Sequence, residues 1–80
     1  MSKVRFEEFS SEFAQDLAIS GEHFLSMRLE DIPEFDSMGK ITVSLTIERL
    51  FGFQIGYEML DKAETIYTLY EFCCKQEGSE

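Results

Sequence analysis

The stretch Asp36 to Gly52, DSMGKITVSLTIERLFG, opens on a helix-capping residue and closes on a helix-stopping one. Asp36 is a good N-cap, because its side-chain oxygen accepts hydrogen bonds from first-turn N–H groups that have no intrahelical partner. Between the two ends, Met38, Ile41, Val43, Leu45, Ile47, Leu50 and Phe51 are apolar on more than one helical face. That breadth predicts a central helix over residues 37–52, buried on one side and offering apolar atoms on another to a ligand or partner. Ser37 then falls at the first helical position. Its hydroxyl points into solvent beside the free N–H groups and the positive end of the helix dipole, a favourable place for a phosphate ester. Taken alone, an Asp-Ser-Met is commonplace and reads as a capped helix with a tolerated serine, so the rest of the chain has to decide.

On the N-terminal side, Phe6, Phe9, Phe13 and Leu17 recur at helical spacing among Glu7, Glu8, Glu12 and Asp16, which predicts a helix from about residue 3 to 18. From residue 19 to 36 the period fails. Ser20-Gly21 and Pro33 punctuate this stretch, and Phe24, Leu25, Met27, Leu29 and Ile32 predict a long ordered loop packed by its own apolar residues. On the C-terminal side, Gln54-Ile55-Gly56 forms an extended turn, residues 57–61 a short helix, and Thr65 caps a last helix over 65–74. Residues 75–80 are expected to be a frayed polar tail. The predicted fold is all-α, a single domain over residues 1–80 with three main helices and one short one, and Val43, Ile47, Phe51, Ile66 and Leu69 in its core.

Eighty residues with 44% hydrophobic content and eight Phe are enough for one small core. Sixteen acidic residues against seven basic ones give a net charge of −9, which makes nucleic acid and anionic membranes poor partners and basic protein surfaces better ones. No apolar run approaches the roughly 18 residues that cross a bilayer. The start, Met1-Ser2-Lys3-Val4-Arg5, leads into a charged amphipathic stretch and does not resemble a signal peptide, so a cytoplasmic monomer without membrane insertion is expected. Cys73 and Cys74 are neighbours, and a bridge between them would staple nothing; two reduced thiols, one facing the core, are expected. His23 stands alone, without metal-ligand spacing. No paired carboxylates, Cys/His dyad or glycine-rich phosphate loop stands out, so no catalytic residues are expected. A calcium loop over residues 34–45 fails, because Met38 falls at a ligand place and Leu45 where a bidentate carboxylate is needed.

From about Leu29 to Cys73 the chain resembles the acyl carrier proteins and the related peptidyl and D-alanyl carriers. The likeness is carried by Asp36-Ser37-Met38, Ile41, Leu45, Glu48 and Phe51, then Phe53-Gln54-Ile55 and Thr65-Ile66, with the lead-in Leu29-Glu30-Asp31-Ile32-Pro33-Glu34-Phe35. The resemblance implies a carrier that catalyses nothing and is modified at Ser37 with a covalent 4′-phosphopantetheine arm. A separate phosphopantetheinyl transferase would transfer the arm from coenzyme A with Mg²⁺, and the arm's thiol would hold an acyl or aminoacyl group as a thioester. It further implies that Asp36 caps the helix and helps the transferase, that Met38, Ile41 and Glu48 line a recognition face, and that acyl-loading and acyl-using enzymes are partners. It also raises a channel between helices that shelters an acyl chain.

The chain departs from the carriers of bacterial fatty acid synthesis, whose corresponding helix is markedly acidic. Here Gly39, Lys40, Thr42 and Arg49 leave Glu48 as the one acid between Ser37 and Phe51. Leu50 adds apolar surface, Gly56 replaces a frequent proline, and Gly39 costs about 1 kcal/mol of helix propensity relative to Ala. These departures favour a specialised stand-alone carrier of a lipid, polyketide or modified-sugar pathway. Asp-Ser-Met-Gly also has a likeness to D-alanyl carriers, and an acidic helical interaction module without a prosthetic group is the reading from a different class.

Overall fold

Phe6, Phe9 and Phe13 lie on one stripe of α1 (Phe6–Asp16), with Glu7 and Glu8 in the first turn, where the helix dipole favours acids. The computed structural model describes residues 4–77. α1 is followed by two single 3₁₀ turns, His23–Ser26 and Leu29–Asp31, then α2 (Ser37–Phe51), α3 (Tyr57–Lys62) and α4 (Ile66–Glu77). The described residues form an all-α bundle of three main helices and a short one, as the sequence predicts.

α1 is shorter than the expected span of 3–18. It begins at Phe6 and ends at Asp16, and residue 3 lies outside the described residues. Its end is a Schellman turn: Ile19 N–H donates to Ala14 C=O at 2.8 Å and Ala18 N–H to Gln15 C=O at 3.2 Å, with Ala18 in the left-handed region at φ 58°. That turn satisfies carbonyls the helix would otherwise leave open. Alanine hid it from the sequence, since glycine is the usual occupant.

The segment between α1 and α2 is ordered by its own side chains. Phe24, Leu29, Ile32 and Phe35 are all buried, and the rings of Phe24 and Phe35 stack on Phe13 at 5.7 and 6.1 Å. Leu29 N–H donates to Glu64 C=O at 2.8 Å and ties the segment to the start of α4. Single 3₁₀ turns are too short to show a period, which is why the sequence reads as loop here.

α2 packs against α1, α3 and α4, and so is the central helix. Gly52 ends it with φ 83° and its N–H on Glu48 C=O. Val43, Ile47, Phe51, Ile66 and Leu69 are buried, as expected, together with Phe9, Phe13, Leu60 and Cys73. Thr46 is the one buried polar side chain among the described residues. Its hydroxyl meets Thr42 C=O at 3.0 Å and Asp16 Oδ2 at 2.5 Å. Thr65 caps α4 by accepting the Thr68 N–H at 3.3 Å. The helix continues through Glu77, three residues past the expected end at 74, because Lys75, Gln76 and Glu77 are good helix formers and no glycine interrupts before Gly78. Of the expected frayed tail at 75–80, residues 75–77 are therefore helical and the rest lies outside the described residues. Cys73 is buried, Cys74 is half-buried, and neither forms a disulfide among the described residues.

Candidate functional site

Asp36 is extended, at φ −91° and ψ −163°, and its Oδ1 accepts the Gly39 N–H at 2.9 Å. Its carbonyl accepts the Lys40 N–H at 2.8 Å, closing the first intrahelical turn. Ser37 is the first helical residue and is exposed. At that position the N–H groups of Ser37 and Met38 have no carbonyl to reach within the helix, so they face outward with the positive end of the dipole. An anionic ester on the Ser37 oxygen would meet those N–H groups, and no side chain closes over an exposed serine. The site therefore fits a phosphate-linked group.

Behind Ser37, α2 carries an outward stripe. Met38, Ile41 and Leu45 are 73%, 44% and 60% exposed, and Glu48 continues the line at the same helical spacing. Met38, Ile41 and Glu48 are all exposed and share one side of α2 by their spacing. Leu45, outside the recognition face that the resemblance implies, belongs with them. Its signal was its spacing, four residues after Ile41 and three before Glu48, which an alternation of apolar residues over two faces obscured.

The two bases of α2 do not give it a basic surface. Lys40 Nζ lies 2.5 Å from Asp61 Oδ1 of α3 and 5.9 Å from the centre of the Phe35 ring. Arg49 Nη2 bridges Glu12 Oε1 at 2.5 Å and Asp16 Oδ2 at 3.1 Å, both on α1. The excess of base over acid counted along the helix is thus answered by acids of neighbouring helices. Around Ser37 the approach segment adds exposed Asp31, Glu34 and Asp36. The face combines apolar side chains with acids.

Next to Ser37 in the chain, Phe35 and Lys40 contribute to an open cleft of about 440 Å³ that reaches Leu29, Leu60 and Glu64. Its lining is mostly charged, with Arg28, Glu30, Asp61 and Lys62 beside these residues. Between α3 and α4 a smaller groove of about 190 Å³ is lined by Met59, Ala63, Phe72 and Lys75. His23 is exposed at the start of the first 3₁₀ turn, remote in sequence from Ser37. Among the described residues no group of three or more His, Cys, Asp or Glu side chains is arranged to hold a metal, and no helix is long and apolar enough to cross a membrane.

No protein-family model matches the chain, and no match is found among curated proteins or solved structures.

Proposed function

We propose that the protein is an acyl carrier whose Ser37 bears a 4′-phosphopantetheine arm. The observation that carries the reading is the exposed Ser37 hydroxyl at the first position of a capped helix, with an apolar stripe behind it on the same helix. When bound, the arm supplies a thiol that holds cargo as a thioester. Everything else is the work of the chain's own residues. Ser37 Oγ is the nucleophile toward the β-phosphorus of coenzyme A: the Oγ–P bond forms, the bond to the adenosine bisphosphate breaks, and the serine proton passes to a base of the transferase. Asp36 fixes the helix start that holds this oxygen outward, and the first-turn N–H groups favour the resulting phosphodiester. Met38, Ile41, Leu45 and Glu48 offer successive enzymes a common docking face. Tethering then raises the local concentration of cargo at whichever enzyme is bound.

The apolar stripe on α2, where the carriers of fatty acid synthesis have a markedly acidic helix, supports a carrier whose partners differ from theirs. A specialised lipid, polyketide or related pathway is proposed, and Asp36-Ser37-Met38-Gly39 keeps an aminoacyl or D-alanyl cargo as the alternative. The same exposed stripe also suits an acidic helical interaction module that is never modified. Incubating the apo-protein with coenzyme A, Mg²⁺ and a broad-range transferase separates these readings. The carrier gains the mass of one phosphopantetheine, and Ser37→Ala gains none; no gain with any of several transferases contradicts the carrier reading.

A further inference from the structure

We propose that Gly39 is a positioning residue for Ser37: the missing side chain lets the chain that enters α2 lie against the first turn, and this fixes where the Ser37 hydroxyl is presented. The proposal rests on the carrier reading for its functional consequence. A Cβ built on Gly39 would lie 2.1 Å from the Glu34 carbonyl oxygen, 3.1 Å from its carbonyl carbon and 3.4 Å from Leu17 Cδ2. The first two atoms belong to the backbone, so no side-chain rotation relieves the clash. Gly39 is helical and buried, and its conformation is open to any residue. Alanine would be the better helix former at such a place. Space alone demands glycine.

The partner in this close approach is the segment that carries the site. Glu34 precedes Phe35, whose buried ring stacks on Phe13 at 6.1 Å, and Phe35 precedes Asp36, whose Oδ1 accepts the N–H of Gly39 itself at 2.9 Å. Gly39 thus receives the entering chain twice, by its bare Cα and by its amide. A side chain here forces the Glu34 carbonyl to retreat and draws Asp36, the residue before Ser37, off its cap. A misplacement of about 1 Å is enough to cost on the order of a hundredfold in a group-transfer step. The glycine at the other end of α2 is a built-in control. Gly52 has φ 83° and nothing within 4 Å of its built Cβ, so alanine there strains the backbone without touching the approach to Ser37.

The test compares wild type, Gly39→Ala and Gly52→Ala in three measurements: kcat and KM for phosphopantetheine transfer from coenzyme A by a broad-range transferase, backbone amide exchange by NMR, and Tm by thermal unfolding. Gly39→Ala is expected to keep the protection of the Val43 and Ile47 amides, to exchange its residue-39 amide about tenfold faster, and to lose about tenfold or more in kcat. Gly52→Ala is expected to lower Tm while leaving kcat and the residue-39 amide within about twofold of wild type. The proposal is overturned if Gly39→Ala loads like wild type with an unchanged residue-39 amide, or if both variants lose loading in proportion to Tm. Loss of core protection in Gly39→Ala also overturns it, because the glycine then serves the fold and not the site. If wild type accepts no arm, the carrier reading fails, and the residue-39 amide alone decides the positioning role.

Discussion

Asp36, Ser37 and Gly39 lie within one helical turn and divide the work of presenting a hydroxyl: Asp36 accepts, Gly39 donates and makes room, and Ser37 is left facing out. The capping role of Asp36 was legible because it depends on residues three apart. The role of Gly39 was not. In the sequence it reads as a cost of about 1 kcal/mol to the helix, because the carbonyl it accommodates belongs to a segment with no regular structure to predict its path. Ala18 shows the reverse error. It reads as an ordinary helical alanine, yet it holds φ 58° at the turn that ends α1. Left-handed backbone penalises a Cβ, so Ala18→Gly is expected to stabilise the fold by about 0.5–1 kcal/mol, net of the greater freedom glycine gives the unfolded chain. Thermal unfolding followed by circular dichroism should show a Tm higher by a few degrees; an unchanged or lower Tm contradicts the assignment.

At the scale of the element, α2 has two separable faces. Val43, Ile47 and Phe51 are buried, while Met38, Ile41 and Leu45 are exposed, and a single helix thereby serves the core and carries an apolar stripe outward. The ends of α2 were plain from Asp36 and Gly52, and its buried residues from the apolar spacing. The pairing of its bases was not legible, because Lys40 and Arg49 find their acids 21 and 37 residues away, on α3 and α1, and a count along one helix does not see them. Leu45 tests the outward face. Because it is 60% exposed, Leu45→Glu should shift stability by no more than about 0.5 kcal/mol. Under the carrier reading it should raise the transferase KM for the protein by about tenfold, the loss expected of a contact near the centre of an interface. An unchanged KM with an unchanged Tm would place docking elsewhere.

Over the whole molecule, two physical facts dominate. The core is aromatic, with Phe9, Phe13, Phe24, Phe35 and Phe51 all buried and Phe13 touching rings from α1 and from the segment before α2. The surface is acidic, with sixteen acids against seven bases. Self-repulsion of that excess opposes the compact state, while the exposed ion pairs that salt would weaken contribute only about 0–1 kcal/mol each. Raising NaCl from about 10 to about 150 mM shortens the screening length from about 30 to about 8 Å and should therefore raise Tm. A fall in Tm would mean that the pairs of Lys40 and Arg49 outweigh the repulsion. The central claim is that Ser37 carries the arm, and it is tested most directly by the intact mass of the protein purified from its own cell, with the modified peptide sequenced by fragmentation. The account predicts an excess of one phosphopantetheine, with or without cargo, located on Ser37. An unmodified mass in every fraction, or a modification on any other residue, would contradict it.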